Sequence, residues 1–389
     1  MELHEFQAKS LLSRYAIASP KGQVALTPDE AELAARDCGS RALFVKAQVQ
    51  AGDRAQAGGV IRAASAAETR LAAAQLLGRK LVTAQTGRRG HTIKRVLVET
   101  GVAAVREFYV AMRIDALAGG LELLAGTGGT GIEARAAALP SAIESVPFGL
   151  AGERHPGDTM KLCERIGLAG DTADKFRAVV DSIHRAFVDN DASLIEINPL
   201  ALTGDGEFVA LDAKLVLDDN ALFRHPDLAA LRDDDVVDEI ELEAQRHQIN
   251  FVQMDGDIGV VVNGAGLGLA TLDMLRAAGG SPANFMDIRT TAKSLDIAHG
   301  IGLVLDKPHI KVLLVNVFGG GMQPCDTIIE GLGIAFRRKG RVLPVVLRVT
   351  GNNEQLARLR LANFNFPKIE CSDMWQAVER AVAIARGRT

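Results

Sequence analysis

Six side chains stand out because together they could bind a metal-bound polyphosphate. They are Lys46, Glu99, Glu107, Glu196, Asn198 and Asp212. Carboxylate and amide oxygens on neighbouring strands suit Mg²⁺, which prefers oxygen ligands together with phosphate oxygens. A lysine on a strand beside a glycine-rich segment suits a nucleotide phosphate. Any one of these carboxylates alone is typical of a solvated surface, so the prediction of a Mg²⁺–nucleotide site depends on their joint placement at strand ends.

The pairing of the two predicted metal ligands depends on the register of a β-hairpin. Its predicted strands and turn are 193–202, 207–217 and the sequence TGDG at 203–206. A three-residue loop with Gly206 in the left-handed region pairs Asn198 with Asp212. The same loop pairs Glu196 with Lys214. A two-residue loop would put Asn198 and Asp212 on opposite faces, because a slip of one residue turns every side chain over. The glycine at the end of the turn favours the three-residue loop.

Short strands and helices position these side chains in the first half of the chain. Apolar runs predict strands at 42–48, 95–99 and 108–114, and an alanine-rich stretch with Glu and Arg predicts a helix within 63–78. A Gly/Ala-rich stretch, 51–59, follows the strand that carries Lys46. We expect the strands to form an antiparallel sheet. Residues 224–248 are charged and polar, which predicts a solvated linker or surface segment between domains.

A different rhythm begins after about residue 250. Apolar strands at 258–263, 312–318 and 342–349 are each followed by a Gly- or Asn-containing loop and a helix. Strands this apolar are buried on both faces, which predicts a parallel sheet covered by helices. The repeated unit predicts a doubly wound α/β domain, whose ligands bind at the carboxyl ends of the strands.

Composition limits the classes of partner. The chain has 389 residues, which suggests two or three domains, and a formal net charge of -4 with dispersed Lys and Arg, so no nucleic-acid partner is expected. Its four cysteines are far apart and form no CxxC pair, which argues against a zinc site and for a reducing compartment. The polar start and the absence of a long apolar run predict a cytoplasmic protein without a membrane segment.

Segments along most of the chain resemble one enzyme family. They are LHEFQAK at 3–9, VKAQV at 45–49, LLGRKLVTAQT at 76–86, LIEINPL at 194–200, LDAK at 211–214, NALFR at 220–224, VNGAGL at 262–267 and PANF at 282–285. In this order they are similar to the β subunits of ADP- or GDP-forming acid–CoA ligases of the succinyl-CoA synthetase and malate–CoA ligase type. The matches run from residue 3 to about residue 353 without large gaps.

The resemblance implies a fold and a division of the chain. It implies an α/β protein, with an α+β first part that is an ATP-grasp nucleotide-binding domain over 1–235. A subdomain at about 21–102 would be inserted in it. A flavodoxin-like, doubly wound CoA-ligase domain would follow over 236–389.

The resemblance also implies roles for individual residues. The nucleotide, ATP or GTP, would contact Lys46, Asp53, Arg54, Ala55, Glu99, Val102 and Glu107. Mg²⁺ would be held by Asn198 and Asp212, in agreement with the hairpin register. Glu196 would be catalytic and face a phosphohistidine of the α subunit. Asn263, Gly320, Gly321 and Met322 would face the acid and the α subunit, which would bind most of CoA.

The implied reaction has three steps, and the β subunit would act only with its α subunit, in a heterodimer or a heterotetramer. The nucleotide phosphorylates the α-subunit histidine, the phosphoryl group passes to a carboxylate, and the CoA thiolate displaces phosphate. The main task of the protein is then to place charges and hydrogen-bond donors around the phosphoryl oxygens. The helix expected after the glycines at 319–321 offers backbone N–H groups for that purpose.

Three loops depart from the family pattern. The family's HAGGRGKAGG over the nucleotide is QAGDRAQAGG at 50–59, so that Asp53 adds a negative charge and Ala55 lacks the freedom of glycine to adopt positive φ. We expect Asp53 to weaken nucleotide binding unless it points away from the site or pairs with Arg54.

The other two departures lie where the acid is expected. DIRTTA at 287–292 replaces a glycine triplet, and GGGMQPCD at 319–326 is one residue longer than usual and lacks a basic residue. Pro324 near the start of the following helix suits position N1. Arg289 with two hydroxyls could bind an additional anionic group, or the loop could be structural. The hypothesis that follows is an acid other than succinate, such as malate or a sulfonated acid.

Two other interpretations remain open at this point. GAGLG at 264–268 follows a strand as in a dinucleotide-binding dehydrogenase, but Leu269 stands where the last glycine belongs. The altered 50–59 loop is compatible with a degenerate, non-catalytic β-like scaffold or regulatory subunit. Five side chains described above favour an enzyme, because a chain without nucleotide chemistry has no need of them together: Lys46, Glu99, Glu107, Asn198 and Asp212.

Overall fold

The protein is described by a computed structural model. It covers residues 1–40, 42–83, 85–86, 90–129, 131–132, 136, 138–139, 142–150, 156–233 and 238–387. The chain forms two compact units, Met1–Val236 and Val237–Thr389. The functions predicted for the two domains stay predictions.

The first unit contains antiparallel sheets and flanking helices. In chain order its elements are α1 (Glu5–Ser13), β1 (Gly22–Ala25), α2 (Pro28–Cys38), β2 (Leu43–Ala47), β3 (Val60–Ala63), α3 (Ala66–Leu76), β4 (Lys80–Leu81), β5 (His91–Thr92), β6 (Val96–Thr100), β7 (Ala104–Asp115), β8 (Gly120–Thr127), β9 (Ile143–Phe148), α4 (Pro156–Arg165), α5 (Gly170–Asp189), β10 (Ala192–Thr203), β11 (Phe208–Ala210), β12 (Ala213–Leu217), a 3₁₀ turn (Leu222–Arg224) and α6 (Pro226–Ala229).

A four-stranded sheet in the order β1-β6-β2-β3 carries Lys46 and Glu99. In β2 the alternate residues Leu43, Val45 and Ala47 are buried against α2 and α3, which leaves Phe44 and Lys46 on the other face. Both helices begin at a side-chain cap, Thr27 for α2 and Ser65 for α3. The strands and the helix predicted for this region are confirmed.

A six-stranded sheet, β11-β10-β7-β8-β9 with β12 also paired to β10, carries the predicted metal ligands. Phe108, Phe176 and Phe208 form the aromatic centre of its core. The predicted register is confirmed, because Glu196 lies opposite Lys214 and the Asn198 N–H donates to the Asp212 carbonyl at 3.3 Å.

The hairpin turn also has the predicted geometry, with Gly206 at φ 82°. One prediction was wrong, since the strand expected over 207–217 is divided into β11 and β12. The Leu211 carbonyl accepts hydrogen bonds from Lys9 and Lys46, at 2.7 and 2.6 Å, instead of joining a strand ladder.

The described residues of 224–248 include helices, whereas a solvated linker or surface segment was expected. These helices are α6 and α7 (Glu239–Arg246). The Asp238 carboxylate caps α7 by accepting from the N–H groups of Ile240 and Glu241, and Ala244 is buried in the core of the second unit. Glu239, Gln245 and Arg246 of α7 are exposed, so composition alone suggested a loop.

The second unit is a doubly wound parallel sheet, as predicted. After α7 its elements are β13 (Ile249–Gln253), β14 (Ile258–Val262), α8 (Ala265–Ala277), β15 (Asn284–Ile288), α9 (Ser294–Leu305), β16 (Val312–Gly319), α10 (Cys325–Lys339), β17 (Val345–Gly351), α11 (Glu354–Ala362), β18 (Lys368–Glu370) and α12 (Met374–Ala385). The strand order is β13-β15-β14-β16-β17-β18, and only the edge strand β13 is antiparallel to its neighbour.

Helices cover both faces of this sheet. The side chains of β14 are all buried, and they enter two separate cores, one with α8 and α12 and one with α9, α10 and α11. This double burial is the reason for the uninterrupted apolar sequence of the strand. Within the described residues, no helix is both long enough and apolar enough to span a membrane.

Candidate functional site

A cavity of about 380 Å³ in the first unit gathers all the predicted nucleotide, metal and catalytic residues of that unit. These lining residues are Lys46, Asp53, Arg54, Ala55, Glu99, Val102, Glu107, Glu196, Asn198 and Asp212. Apolar side chains, including Pro20, Phe44 and Val60, line the same cavity. A charged group of side chains beside an apolar surface is the composition expected of a small-molecule site. The individual roles of these residues stay predictions.

The buried residues Lys9, Glu5 and Glu99 and the largely buried Lys46 form the centre of the charged group. The Lys9 Nζ lies 2.7 Å from a carboxylate oxygen of Glu5 and 2.7 Å from one of Glu99. The Lys46 Nζ lies 2.9 Å from Glu5 and 2.8 Å from Glu99. Both lysines also donate to the Leu211 carbonyl. Each ammonium group therefore has three acceptors for its three N–H donors.

Arg54 connects this centre to the predicted metal ligand Asp212. Its Nη2 lies 2.6 Å from Asp212 Oδ2 and 2.8 Å from Glu5 Oε2, and its Nη1 donates to the Ala47 carbonyl at 2.9 Å. With Arg54 and Asp212, the group contains three cations and three carboxylates, Lys9, Lys46, Arg54, Glu5, Glu99 and Asp212. The six charges balance, which is how a buried ionic group avoids the cost of an unpaired charge.

The charged side chains of this group keep one another ionised. Burial by itself would raise the pKa of Glu5, but Lys46, Arg54 and Lys9 outweigh burial and hold the pKa well below its usual range. Burial by itself would lower the pKa of Lys46, but Glu5, Glu99 and Asp212 raise the pKa above the usual lysine value. Glu5 is thus a fixed anion and Lys46 a fixed cation at neutral pH.

Glu5 and Lys9 were not among the site residues predicted from the sequence. They lie in α1 with the buried residues Ala8 and Leu12, at positions i, i+3, i+4 and i+7 of one helix face. A charged pair on an apolar helix face is a signal that the pair is buried and partnered, because unpaired buried charges are costly. The segment LHEFQAK at 3–9 contains that signal, but only its resemblance to the family was used in the prediction.

Asn198 and Asp212 present oxygen atoms at one side of the cavity. The Asn198 Oδ1 accepts from the Gly129 N–H at 3.2 Å, and Asp212 Oδ1 accepts from the Ala213 N–H at 2.8 Å. Glu196 lies two residues from Asn198 on β10, and its carboxylate is 3.5 Å from the Tyr109 hydroxyl. An amide oxygen beside a carboxylate is the hard donor set that Mg²⁺ prefers.

The altered loop at 50–59 exposes its added charge to solvent. Asp53 has φ 56° and an exposed side chain, while Arg54 is buried and turns inward. Aspartate tolerates this left-handed conformation better than most residues with a Cβ. The Asp53 side chain is exposed to solvent, and the expected weakening of nucleotide binding stays a prediction. The backbone difficulty expected at Ala55 falls on Asp53 instead.

The remaining predicted residues lie at the carboxyl ends of the parallel strands in the second unit. The Asn263 amide donates to the Phe318 carbonyl at 2.7 Å and accepts from the Phe318 N–H at 2.9 Å, which ties the end of β14 to β16. A Cβ added at Gly320 or Gly321 would meet nothing within 4 Å, and Met322 is 73% exposed. This edge is open and partly apolar. Pro324 is the N-cap of α10 rather than its first residue.

Arg289 is held in place by a chain of polar contacts. Its Nε and Nη2 donate to Asn250 Oδ1 at 2.9 and 2.7 Å. Asn250 donates to the Asp287 carboxylate, which also accepts from the Gly264 N–H at 2.6 Å. The guanidinium is exposed yet oriented at the carboxyl edge of the sheet.

The two altered loops of the second unit are joined by one residue. The side chain of Gln323 is buried, and its amide nitrogen, in the orientation that satisfies the surrounding groups, donates to the carbonyls of Thr290 and Ala292 at 3.0 and 3.3 Å. Thr291 also bonds to Gln248. The loops at 287–292 and 319–326 are therefore one connected surface, which the sequence did not reveal.

Comparison with known families defines the class of protein. Residues 2–202 match the family described as ATP-grasp domain, and residues 261–379 match the family described as CoA-ligase. The chain thus combines an ATP-grasp domain with a CoA-ligase domain, and its fold agrees with that class.

Full-length relatives define the family more closely. The chain is 41% identical over 387 residues to the β subunit of ADP-forming succinate–CoA ligase of Anaeromyxobacter dehalogenans strain 2CP-C, covering 99% of this chain and 100% of the relative. It is 39% identical over 389 residues to the same subunit of Paraburkholderia xenovorans strain LB400, covering 100% of both chains. The chain belongs to the family of β subunits of ADP-forming succinate–CoA ligases.

A solved structure shares the fold at low identity. ATP citrate lyase from Methanothrix soehngenii, in complex with citrate and coenzyme A, superimposes with a TM-score of 0.74 at 18% identity, covering 98% of each chain. This likeness supports the fold.

Proposed function

We propose that this chain is the β subunit of a nucleoside-diphosphate-forming acid–CoA ligase, which joins a small di-acid to CoA at the expense of ATP or GTP. The observation that carries the proposal is the single cavity in which Lys46, Arg54, Asn198 and Asp212 meet. Its cations suit the phosphates, and its apolar lining suits a planar base.

Asn198 and Asp212 would hold the Mg²⁺ that accompanies the nucleotide, and their oxygen donors fit that ion. Arg54 then has two alternative partners, since its ion pair with Asp212 competes with a phosphate group. Arg54 would release Asp212 and turn to the phosphates when the nucleotide binds. Lys46 would likewise exchange one of its three protein acceptors for a phosphate oxygen.

The α subunit would supply the phosphohistidine and most of the CoA site, in a heterodimer or heterotetramer. Glu196 would face that histidine, and the tie between Asn263 and Phe318 would fix the edge that faces the acid and the partner. Support comes from the names of the relatives, which are β subunits.

Co-expression with the α-like partner tests the reaction. The complex is assayed for CoA- and acid-dependent release of ADP or GDP over a panel of acids. Asp212→Asn should reduce turnover strongly by removing a metal ligand, whereas Asp205→Asn, in the exposed hairpin turn, should leave turnover unchanged. Equal activity of the Asp212→Asn complex would contradict the assignment of the cavity.

The acid would be more anionic than succinate or differently shaped, such as malate or a sulfonated acid. Support comes from Arg289, which Asn250 and Asp287 orient at the open carboxyl edge. Arg289→Gln should raise KM for the preferred acid. The matched control is Arg276→Gln, an exposed arginine in the last turn of α8, at the end of the helix away from the carboxyl edge of the sheet. Fastest turnover on succinate with no effect of Arg289→Gln would contradict this substrate assignment but not the reaction class.

A non-catalytic, scaffolding β-like subunit is the second candidate, favoured by Asp53 in the nucleotide loop and by the Arg54–Asp212 ion pair. Calorimetry of the complex with Mg²⁺-ATP and Mg²⁺-GTP separates the two candidates. Binding that is lost in Lys46→Met favours the enzyme. Heat signals at background level for both nucleotides favour the scaffold.

A further inference from the structure

Two histidines and a glutamate form a compact cluster in the second unit, on residues that the proposed reaction does not use. The ligand atoms of Glu243, His247 and His299 all lie within 4.8 Å of one another. The His299 Nε2 is 3.1 Å and the His247 Nε2 is 3.6 Å from Glu243 Oε1. Ligands at about 2.1 Å from a tetrahedral Zn²⁺ stand about 3.4 Å apart, so these separations are close to those of a bound ion.

Asp296 prepares His247 for such a role. Its Oδ1 is 3.1 Å from His247 Nδ1, and its Oδ2 accepts from the Lys293 N–H at the start of α9, which fixes the carboxylate. A carboxylate on Nδ1 places the proton there and leaves the Nε2 lone pair toward Glu243. This arrangement of carboxylate, histidine and metal is the usual support of a metal-binding histidine.

His299 contributes the second observation that points to a ligand. Its Nε2 is buried and makes no hydrogen bond to any described residue, although Glu243 Oε1 lies 3.1 Å away. The distance allows an ion pair, but the geometry does not satisfy the atom as a hydrogen bond would. Most buried polar atoms in proteins have a hydrogen-bond partner, so a buried nitrogen without one points to a ligand.

The ring geometry identifies which side chain moves on binding. The two rings stack with centroids 3.8 Å apart and planes 18° apart, so both lone pairs cannot point at one ion as they stand. Asp296 holds the His247 ring, whereas no hydrogen bond holds the Nε2 of His299, so the proposed site requires the His299 ring to turn. Rotation of the His299 ring completes a site of two nitrogen ligands and one oxygen ligand.

We propose that Glu243, His247 and His299 bind a divalent transition-metal ion of the Zn²⁺ or Co²⁺ class, through ligands distinct from the proposed Mg²⁺ ligands. Imidazole nitrogens favour such ions over Mg²⁺, which keeps to oxygen donors. Because Glu243 lies on α7 and His299 on α9, the ion would tie these two helices together.

Titration of the full chain, without a histidine tag, with Co²⁺ in excess Mg²⁺ tests the proposal. We expect one equivalent of Co²⁺ with visible d–d absorption, which Zn²⁺ bleaches because its d shell is full. His247→Ala should weaken Co²⁺ binding at least tenfold, and Asp296→Asn by about 10- to 100-fold. The exposed His309 lies outside the cluster, so His309→Ala should bind as the parent chain does.

The opposite results would overturn the proposal. They are no visible band with Co²⁺, or a band of unchanged affinity in both His247→Ala and His299→Ala. Circular dichroism establishes that each variant is folded, and the isosteric His299→Gln replaces His299→Ala if that variant is not. Since the readout is absorption rather than turnover, a failure here is distinguishable from a failure of the proposed reaction.

Discussion

Replacing Lys9 with methionine should destabilise the first unit, because Lys9 balances two buried carboxylates. Its Nζ contacts Glu5 and Glu99 and donates to the Leu211 carbonyl, and its side chain is 5% exposed. Methionine preserves much of the volume of the stem but removes all three hydrogen bonds. The charges of the ionic group would change from three cations and three anions to two cations and three anions.

The expected loss follows from the contacts that remain. Removing one partner from a buried ion pair costs about 3–5 kcal/mol. Lys46 still contacts both Glu5 and Glu99, and it still donates to the Leu211 carbonyl. The loss should therefore be near the lower end, about 3 kcal/mol. For a unit of this size, a loss of about 3 kcal/mol lowers the midpoint of thermal unfolding by about 6–12 °C.

Differential scanning calorimetry measures the midpoint, and hydrogen exchange locates the effect. Exchange should accelerate in β2 and β6, while β14 in the second unit serves as the internal reference. Lys21→Met is the matched control, since this exposed lysine donates only to the Asp37 carbonyl among the described contacts. Adding Glu99→Gln to Lys9→Met restores the balance of charge and should recover part of the loss.

A midpoint for Lys9→Met that matches Lys21→Met would refute the electrostatic reasoning. An additive, rather than compensating, effect of Glu99→Gln would refute it as well, since the argument depends on net charge in the buried group. Either result would mean that the lysine stem, rather than its ammonium group, stabilises this region.

Three further predictions concern the acid limb of stability, the hairpin and the joined loops. The pKa of Glu5 is depressed in the folded protein. Its contribution to the free energy of unfolding is therefore complete above the unfolded carboxyl pKa of about 4.3, and it is lost as the pH falls toward the folded pKa. Glu5→Gln should flatten the dependence of this free energy on acid pH, measured by urea unfolding. Gly206→Ala should reduce the stability measured by calorimetry by about 1–2 kcal/mol, because Gly206 has φ 82°. Gly204→Ala in the same turn should cost less, since a Cβ at Gly204 would lie 3.9 Å from its nearest neighbour. Equal losses for the two variants would contradict the role of φ. Gln323→Leu should reduce stability by about 1–3 kcal/mol, because the carbonyls of Thr290 and Ala292 lose their donor. It should also speed proteolysis in this loop. Unchanged proteolysis would show that the loops are held in another way.

Local patterns in the sequence predicted most of the elements and one long-range register. The alternation of β2, the uninterrupted apolar run of β14 and the glycine of the 203–206 turn each act within a few residues, so they can be recognised along the chain. The hairpin is the informative case. A turn residue fixed the loop length, and the loop length then placed Asn198 opposite Asp212.

Polarity misled the sequence analysis where charge and burial coincide. The helix α7 was taken for part of a linker because its exposed face is charged, although Asp238 and Ala244 mark a capped helix with a buried side. The pair Glu5 and Lys9 was passed over for the opposite reason, since polar residues are expected at the surface. Both errors come from judging composition without the helical period.

By itself the sequence determined the order of the elements, the two kinds of sheet and the set of residues that could bind a Mg²⁺–nucleotide. Only the tertiary structure decided which charges meet. Arg54 reaches Asp212 across 158 residues and Lys9 reaches Leu211 across 202, while Gln323 joins loops more than 30 residues apart. The physical reason is that periodicity reports which face of an element is buried, whereas the partner of a buried charge depends on how distant elements pack.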